Sequence, residues 1–231
     1  LDTLRRTNQE AIILFVSDHG DMLGERGLWF KMTFFEGSAR VPLMISAPGI
    51  KPRREATPVS TIDVCPTLCD LAGVSMKSIK AWTQGESLVP ISSGVVRTSP
   101  VAMEYAAEAS YAPLVSLRSG KFKYNRCKLD PEQLFDIEND PSEMKNLVGQ
   151  PEYQETLSKF QKIADQKWDL DRFDEEVRRS QARRWVVYDA LRNGQYFPWD
   201  YQPLKQASER FMRNHMDLNE VEHNQMFPRN K

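Results

Sequence analysis

The chain has 231 residues, 40% of them hydrophobic, and its 31 Lys+Arg nearly balance 32 Asp+Glu for a formal net charge of -1. Such a composition excludes intrinsic disorder, a collagen-like repeat and a membrane bundle, and the balanced charge gives no reason to expect nucleic acid or a membrane surface as partner. Cys65, Cys69 and Cys127 are too few and too irregular for a disulfide framework or a zinc site, so a reducing, cytoplasmic compartment is expected.

In chain order, Leu1 to Asn8 has the look of the last turns of a helix and carries neither a signal-peptide pattern nor a membrane span. The apolar run Ala11 to Ser17 follows at once, as a strand buried on both faces of a parallel sheet does, which suggests a domain begun upstream. Val41 to Ser46 predicts a second strand ending at Ala47-Pro48-Gly49. The roughly two dozen residues between them exceed what a loop without a task needs. Ser60 to Gly73 predicts a short helix with a polar start, an acid three residues on and a glycine stop, with Pro66 in its first turns.

From residue 100 the pattern changes to short strands, Pro100 to Tyr105, Leu114 to Arg118 and Lys121 to Arg126, the last two joined at Ser119-Gly120; Gln133 to Asp136 adds a fourth. Tyr153, Leu157, Phe160, Ala164 and Trp168 recur at helical spacing, as do Leu170, Phe173, Val177, Trp185, Tyr188 and Leu191, so two amphipathic helices cover 151–168 and 170–191. Asn193-Gly194 ends the second. The tail, Gln195 to Lys231, has no sustained period but carries Tyr196, Phe197, Trp199, Tyr201, Phe211 and Phe227. Disordered tails are poor in aromatics, so this one is expected to dock, either on its own domain or on a neighbouring subunit of a homo-oligomer.

The stretch Ser17 to Lys31 carries the chemistry. Side chains of adjacent strand residues point to opposite faces, so Asp18 and His19 can meet only where the backbone has left the strand, as Gly20 permits. Placed at the carboxyl end of a strand, they suit a divalent cation, although two ligands are too few for a tight site. Lys31 lies among Leu28, Trp29, Phe30 and Met32, where a buried ammonium needs an anionic partner. A metal and a buried cation on one crevice make a receptor for a tetrahedral oxyanion, sulfate or phosphate. Trp29 itself is expected in the core. A quaternary ammonium group, which cannot donate hydrogen bonds, would need aromatic faces and a carboxylate. Glu104 and Glu108, on either side of Tyr105, are the candidates; Glu108 is favoured because Glu104 falls within the strand.

Ser17-Asp18-His19-Gly20-Asp21-Met22-Leu23-Gly24, then Lys31, Phe35-Glu36 and Arg40-Val41-Pro42-Leu43, resemble the C-terminal metal-binding segment of the sulfatases in the alkaline-phosphatase-like superfamily. Asp63 with Pro66-Thr67-Leu68 and Leu71-Ala72-Gly73 resembles the helix that follows in that family. Leu134-Phe135-Asp136, Asn139-Asp140-Pro141 and Glu143 to Asn146-Leu147 resemble its L-Y-D-L-x-x-D-P-x-E-x-x-N-L segment. More narrowly, Gly24 to Trp29 and the tail from Trp199-Asp200-Tyr201 to Met212–Asp217 are similar to the choline sulfatases.

The resemblance implies an α/β fold: the C-terminal part of an alkaline-phosphatase-like mixed sheet with flanking helices over 1–98, a small antiparallel sheet over 99–150, a helical pair over 151–193 and an extended tail over 194–231. It implies hydrolysis of choline-O-sulfate, with an arylsulfatase or phosphonate monoester hydrolase as the alternative and a noncatalytic fragment or interaction module as the alternative of another class. Asp18 and His19 would hold a divalent cation, Ca²⁺ by resemblance, with Mn²⁺ or Mg²⁺ open on ligand chemistry. Lys31 would contact the sulfate oxygens, and Glu108 would border the substrate pocket. The family's nucleophile is a formylglycine made in a C/S-x-P-x-R motif. Cys65-Pro66-Thr67-Leu68-Cys69 has its proline one place early and no arginine. The nucleophile and further ligands are therefore expected in an N-terminal half absent from this chain.

Overall fold

The computed structural model describes residues 2–7, 11–107 and 110–193, and the chain divides into two compact units, 1–179 and 180–231. In the first unit, α1 (Asp2–Thr7) precedes β1 (Ile13–Val16). An excursion then carries β2 (Met22–Leu23), a 3-10 turn over Glu25–Gly27, β3 (Trp29–Phe30) and the one-turn helix α2 (Glu36–Ala39) before β4 (Leu43–Ser46). β1 and β4 pair antiparallel, Ile13 opposite Ser46 and Val16 opposite Leu43. This corrects the expectation of a parallel strand buried on both faces. A parallel return needs a crossover over the face of the sheet, whereas here the intervening residues turn back through the β2–β3 hairpin and α2, so β4 re-enters in the opposite sense. Phe15 and Met44 lie exposed on the ladder.

The segment from Ser60 follows its sequence signals closely. Ser60 and Asp63 form a reciprocal capping box over the 3-10 turn Thr61–Asp63, which continues into α3 (Val64–Leu71) with Pro66 in its first turn. Gly73, at φ 73°, takes the left-handed position that stops the helix: its N–H reaches the Asp70 carbonyl and the Val74 N–H reaches that of Cys69. Short helices α4 (Met76–Ile79) and α5 (Val89–Ser92) follow. Asp63 is fully buried, and its carboxylate accepts from the Ser60 and Glu86 amides and from Arg97 Nη1 at 2.5 Å.

β5 (Val101–Tyr105), β6 (Leu114–Ser119), β7 (Phe122–Cys127) and β8 (Gln133–Asp136) form an antiparallel sheet in that order. Ser119 pairs with Phe122, so the two-residue loop is Gly120-Lys121, one place later than expected. Alternation along the strands separates two faces. Leu117, Tyr124 and Leu134 stand in register across the sheet and bury against Leu157, Phe160 and Ala164 of α6 (Gln154–Lys167), with the Tyr124 and Phe160 rings stacked at 5.9 Å. Arg118, Lys123 and Phe135 stand in register on the other face, where Phe135 meets Phe35 of the excursion at 6.1 Å.

α7 (Leu170–Arg192) begins in the first unit with Phe173 and Val177 half-buried. In the second unit its apolar residues Trp185 and Leu191 are exposed, where the helical period predicted a buried stripe. The tail, 194–231, lies outside the described residues. Among those described, no helix is long and apolar enough to cross a membrane.

Candidate active site

Past Val16 the backbone leaves the ladder and knots on itself. Ser17 Oγ donates to the His19 carbonyl at 2.8 Å, and the His19 amide donates to Asp18 Oδ1 at 3.0 Å. That amide bond leads the interactions that hold the Asp18 carboxyl below the usual carboxylate range. Gly20 donates to the Ser38 carbonyl at 2.8 Å, and a Cβ at Gly20 would run into the Gly37 carbonyl, so only glycine admits this approach.

The knot turns two neighbouring side chains toward one point, with Asp18 Oδ2 lying 3.5 Å from His19 Nε2. His19 Nδ1 is 2.9 Å from the Gly20 carbonyl, a pure acceptor, so Nδ1 carries a proton that it donates there, and Nε2 is the ring nitrogen that faces Asp18. The edge beside the Asp18 carboxylate suits a cation. Lys31 supplies one: its Nζ stands 3.2 Å from Nε2. The Asp18 side chain is 85% exposed, and Lys31 is exposed as well rather than buried as its apolar neighbours suggested, because the β2–β3 hairpin lays Leu23, Trp29 and Phe30 open.

The donor set fits a divalent ion. A carboxylate oxygen and an imidazole nitrogen converge, and the second ring nitrogen is tied to a carbonyl that fixes the tautomer, as at metal-bound histidines. Among the described residues no group of three His, Cys, Asp or Glu side chains is assembled to hold a metal; Asp18 and His19 bring together two donors of the kind such an ion takes.

What holds the excursion in place is less visible in the sequence. Lys123, 1% exposed on β7, places its Nζ 2.9 Å from Glu36 Oε1, 2.6 Å from Glu143 Oε1 and 2.7 Å from the Phe34 carbonyl. Glu143, 2% exposed and at φ 56°, accepts the Glu36 amide at 2.6 Å through its other oxygen. Burial pushes the Glu143 carboxyl up, against the pull of Lys123. Arg26 donates to the Glu143 carbonyl and lies 4.3 Å over the Phe35 ring. In the sequence Lys123 holds a polar position in the alternation Phe122-Lys123-Tyr124-Asn125, so nothing there marks it as buried.

The remaining candidates separate. Glu104 lies in the ladder opposite Val115 and accepts the Trp168 indole N–H at 2.6 Å, a structural role. Glu108 lies outside the described residues. Trp29 is 63% exposed, not in the core.

Comparison with known proteins gives the family. Residues 24–169 match the family described as N-sulphoglucosamine sulphohydrolase, C-terminal, and residues 175–227 match that described as choline sulfatase enzyme C terminal. The chain is 62% identical to the choline-sulfatase of Rhizobium meliloti (strain 1021), covering 99% of this chain and 46% of that protein. It is 36% identical to arylsulfatase K of Danio rerio, covering 65% and 30%. The solved phosphonate monoester hydrolase of Agrobacterium radiobacter superposes with a TM-score of 0.56 at 26% identity, over 71% of this chain and 36% of that one. The chain thus spans less than half the length of these relatives.

Proposed function

The chain belongs to the sulfatase family, in which it corresponds to the C-terminal portion, and on that premise we propose that the whole protein hydrolyses choline-O-sulfate to choline and sulfate. The observation that carries the reaction class is the meeting of Asp18 Oδ2 and Lys31 Nζ at one imidazole nitrogen, His19 Nε2. The choice of choline rests on the similarity to a choline-sulfatase along nearly the whole chain.

In this reading Asp18 and His19 hold a divalent cation, Ca²⁺ by family, with Mn²⁺ or Mg²⁺ as the alternatives. The bound ion supplies fixed positive charge beside the ester oxygens. Lys31 grips a nonbridging sulfate oxygen, and its ammonium stabilises the charge that builds there as the sulfur–oxygen bond to the alcohol breaks. His19 keeps its Nδ1 proton on the Gly20 carbonyl, and its Nε2, which meets Lys31 Nζ at 3.2 Å, would turn to the ion once Lys31 takes the sulfate oxygen. The attacking group, a formylglycine, is assigned to the N-terminal half of the same protein, since this chain contributes binding and charge without a C/S-x-P-x-R motif. Glu108 offers the carboxylate for the quaternary ammonium, and Glu104, engaged by Trp168, does not compete for the role. The tail, 194–231, joins subunits of a homo-oligomer. Free thiols at Cys65, Cys69 and Cys127 support a cytoplasmic setting.

A site built for a tetrahedral oxyanion also fits an aryl sulfate or a phosphonate monoester, and the likeness to the Agrobacterium hydrolase favours keeping that second reading. Initial rates of the full-length protein on choline-O-sulfate, an aryl sulfate and a phosphonate monoester separate them. Choline-O-sulfate should be turned over fastest; a faster aryl sulfate or phosphonate would overturn the choline assignment, and no turnover of any would leave the noncatalytic role.

A further inference from the structure

Lys31 follows Phe30, which sits at φ 66°, a left-handed conformation that an aromatic residue adopts only under constraint from its surroundings. Phe30 is held in the ladder opposite Met22, and the turn after it is tied seven residues beyond Lys31. Ser38, 3% exposed in α2, donates its hydroxyl to the Lys31 carbonyl, while its own carbonyl accepts the Gly20 amide at 2.8 Å. One residue thus grips both arms of the site, the His19-Gly20 turn through its backbone and the Lys31 turn through its side chain. α2 is a firm base for this, because its first amide is held by Glu143 at 2.6 Å and its Glu36 carboxylate by the buried Lys123.

We propose that Ser38 is a positioning residue that sets the Lys31 ammonium against the Asp18–His19 pair, so that the charge alignment of the site depends on a hydroxyl which touches neither ion nor ester. The inference rests on the role given to Lys31 above. Without the hydroxyl, the Lys31 carbonyl keeps the Thr33 amide of its own turn at 2.5 Å but loses its tie to α2, and the ammonium samples positions away from the Asp18–His19 edge. Misplacement on this scale costs a site of fixed charges far more in turnover than in substrate affinity.

The test is a double-mutant cycle in the full-length enzyme on choline-O-sulfate, with Ser38→Ala, Lys31→Ala and both together. Ser38→Ala should lower kcat between about 10-fold and 10²-fold with KM nearly unchanged, and the double variant should be no slower than Lys31→Ala alone, since the hydroxyl acts through Lys31. Ser38→Thr, which keeps the hydroxyl, should be faster than its isostere Ser38→Val; this pair decides the matter if the alanine variant does not fold. A Ser38→Ala enzyme at wild-type kcat beside an impaired Lys31→Ala overturns this inference alone, as do losses that multiply in the double variant or equal rates for Thr and Val. Wild-type turnover in Lys31→Ala overturns the role of Lys31, and this inference with it.

Discussion

Replacing Lys123 by methionine tests how the candidate site is anchored. The substitution keeps the length of the side chain and removes the ammonium that Glu36, Glu143 and the Phe34 carbonyl share at 2.9, 2.6 and 2.7 Å. Two carboxylates then face each other in a place where Lys123 was 1% exposed. Breaking a buried pair from one side costs about 3–5 kcal/mol, and the shared carbonyl places this case toward the upper end. The cost should depend on pH with a definite sign. Burial already raises the Glu143 carboxyl, and loss of the cation raises it further. A raised folded-state value means that folding is favoured while the group is protonated and penalised as pH rises, so the deficit of Lys123→Met should grow from about pH 4.5 upward. Urea denaturation followed by circular dichroism at pH 5 and pH 7.5 measures it. Adding Glu143→Gln to Lys123→Met should recover a substantial part of the loss at the higher pH. A deficit under about 1 kcal/mol, or one indifferent to pH, would refute the description of this cluster as a buried charge network.

Asp63→Ala should destabilise by about 3–5 kcal/mol, because it leaves the Arg97 guanidinium buried without its carboxylate and frees two amides; urea midpoints of the two proteins give the value. Asp136 is pushed up by burial, but Lys121 at 2.6 Å and the Asn139 amide outweigh this and hold its carboxyl below the ordinary range. Its stabilisation is present above about pH 4 and lost as pH falls through the folded-state value, so the deficit of Asp136→Asn should be full at pH 6 and fade in acid, which paired denaturation series will show. Asp18→Ala in the full-length enzyme should abolish metal-supported turnover and lower the metal content found by elemental analysis; full content with unchanged rates would remove the ligand assignment. Deleting 195–231 should lower the assembly state in sedimentation, and an unaltered oligomer would remove the tail as a subunit contact.

The parts of the fold legible in the sequence are those whose cause is local. Ser60, Asp63 and Gly73 each satisfy a backbone group within a few residues, so the start and end of α3 follow from their identities alone. The four strands from Val101 to Asp136 follow likewise from alternation, since one face must meet α6. The direction of β4 relative to β1 was not legible, because strand direction is set by the path of the connection, and residues 17–42 carry no pattern that distinguishes a fold-back from a crossover. Nor was the exposure of α7 after Val177: Trp185 and Leu191 keep the helical period, but period reports which face is apolar and not whether anything covers it.

The candidate site divides along the same line. Asp18, His19 and Gly20 are adjacent, so the turn that brings a carboxylate to an imidazole could be inferred from Gly20; Lys31 follows less directly, since its apolar neighbours suggest burial and it is exposed where it meets His19 Nε2. Ser38 and Lys123 could not be inferred. Serine is common in short turns, and its significance here comes from facing the Lys31 and Gly20 strands of the knot at once. Lys123 is 87 residues from Glu36 and meets it only after the antiparallel sheet has formed. The groups that bear the proposed chemistry are therefore encoded next to one another, whereas the groups that hold them in alignment are encoded far apart. A mutation in the small sheet can for that reason reach the Asp18–Lys31 edge without touching it, through Lys123, Glu36 and the helix that carries Ser38.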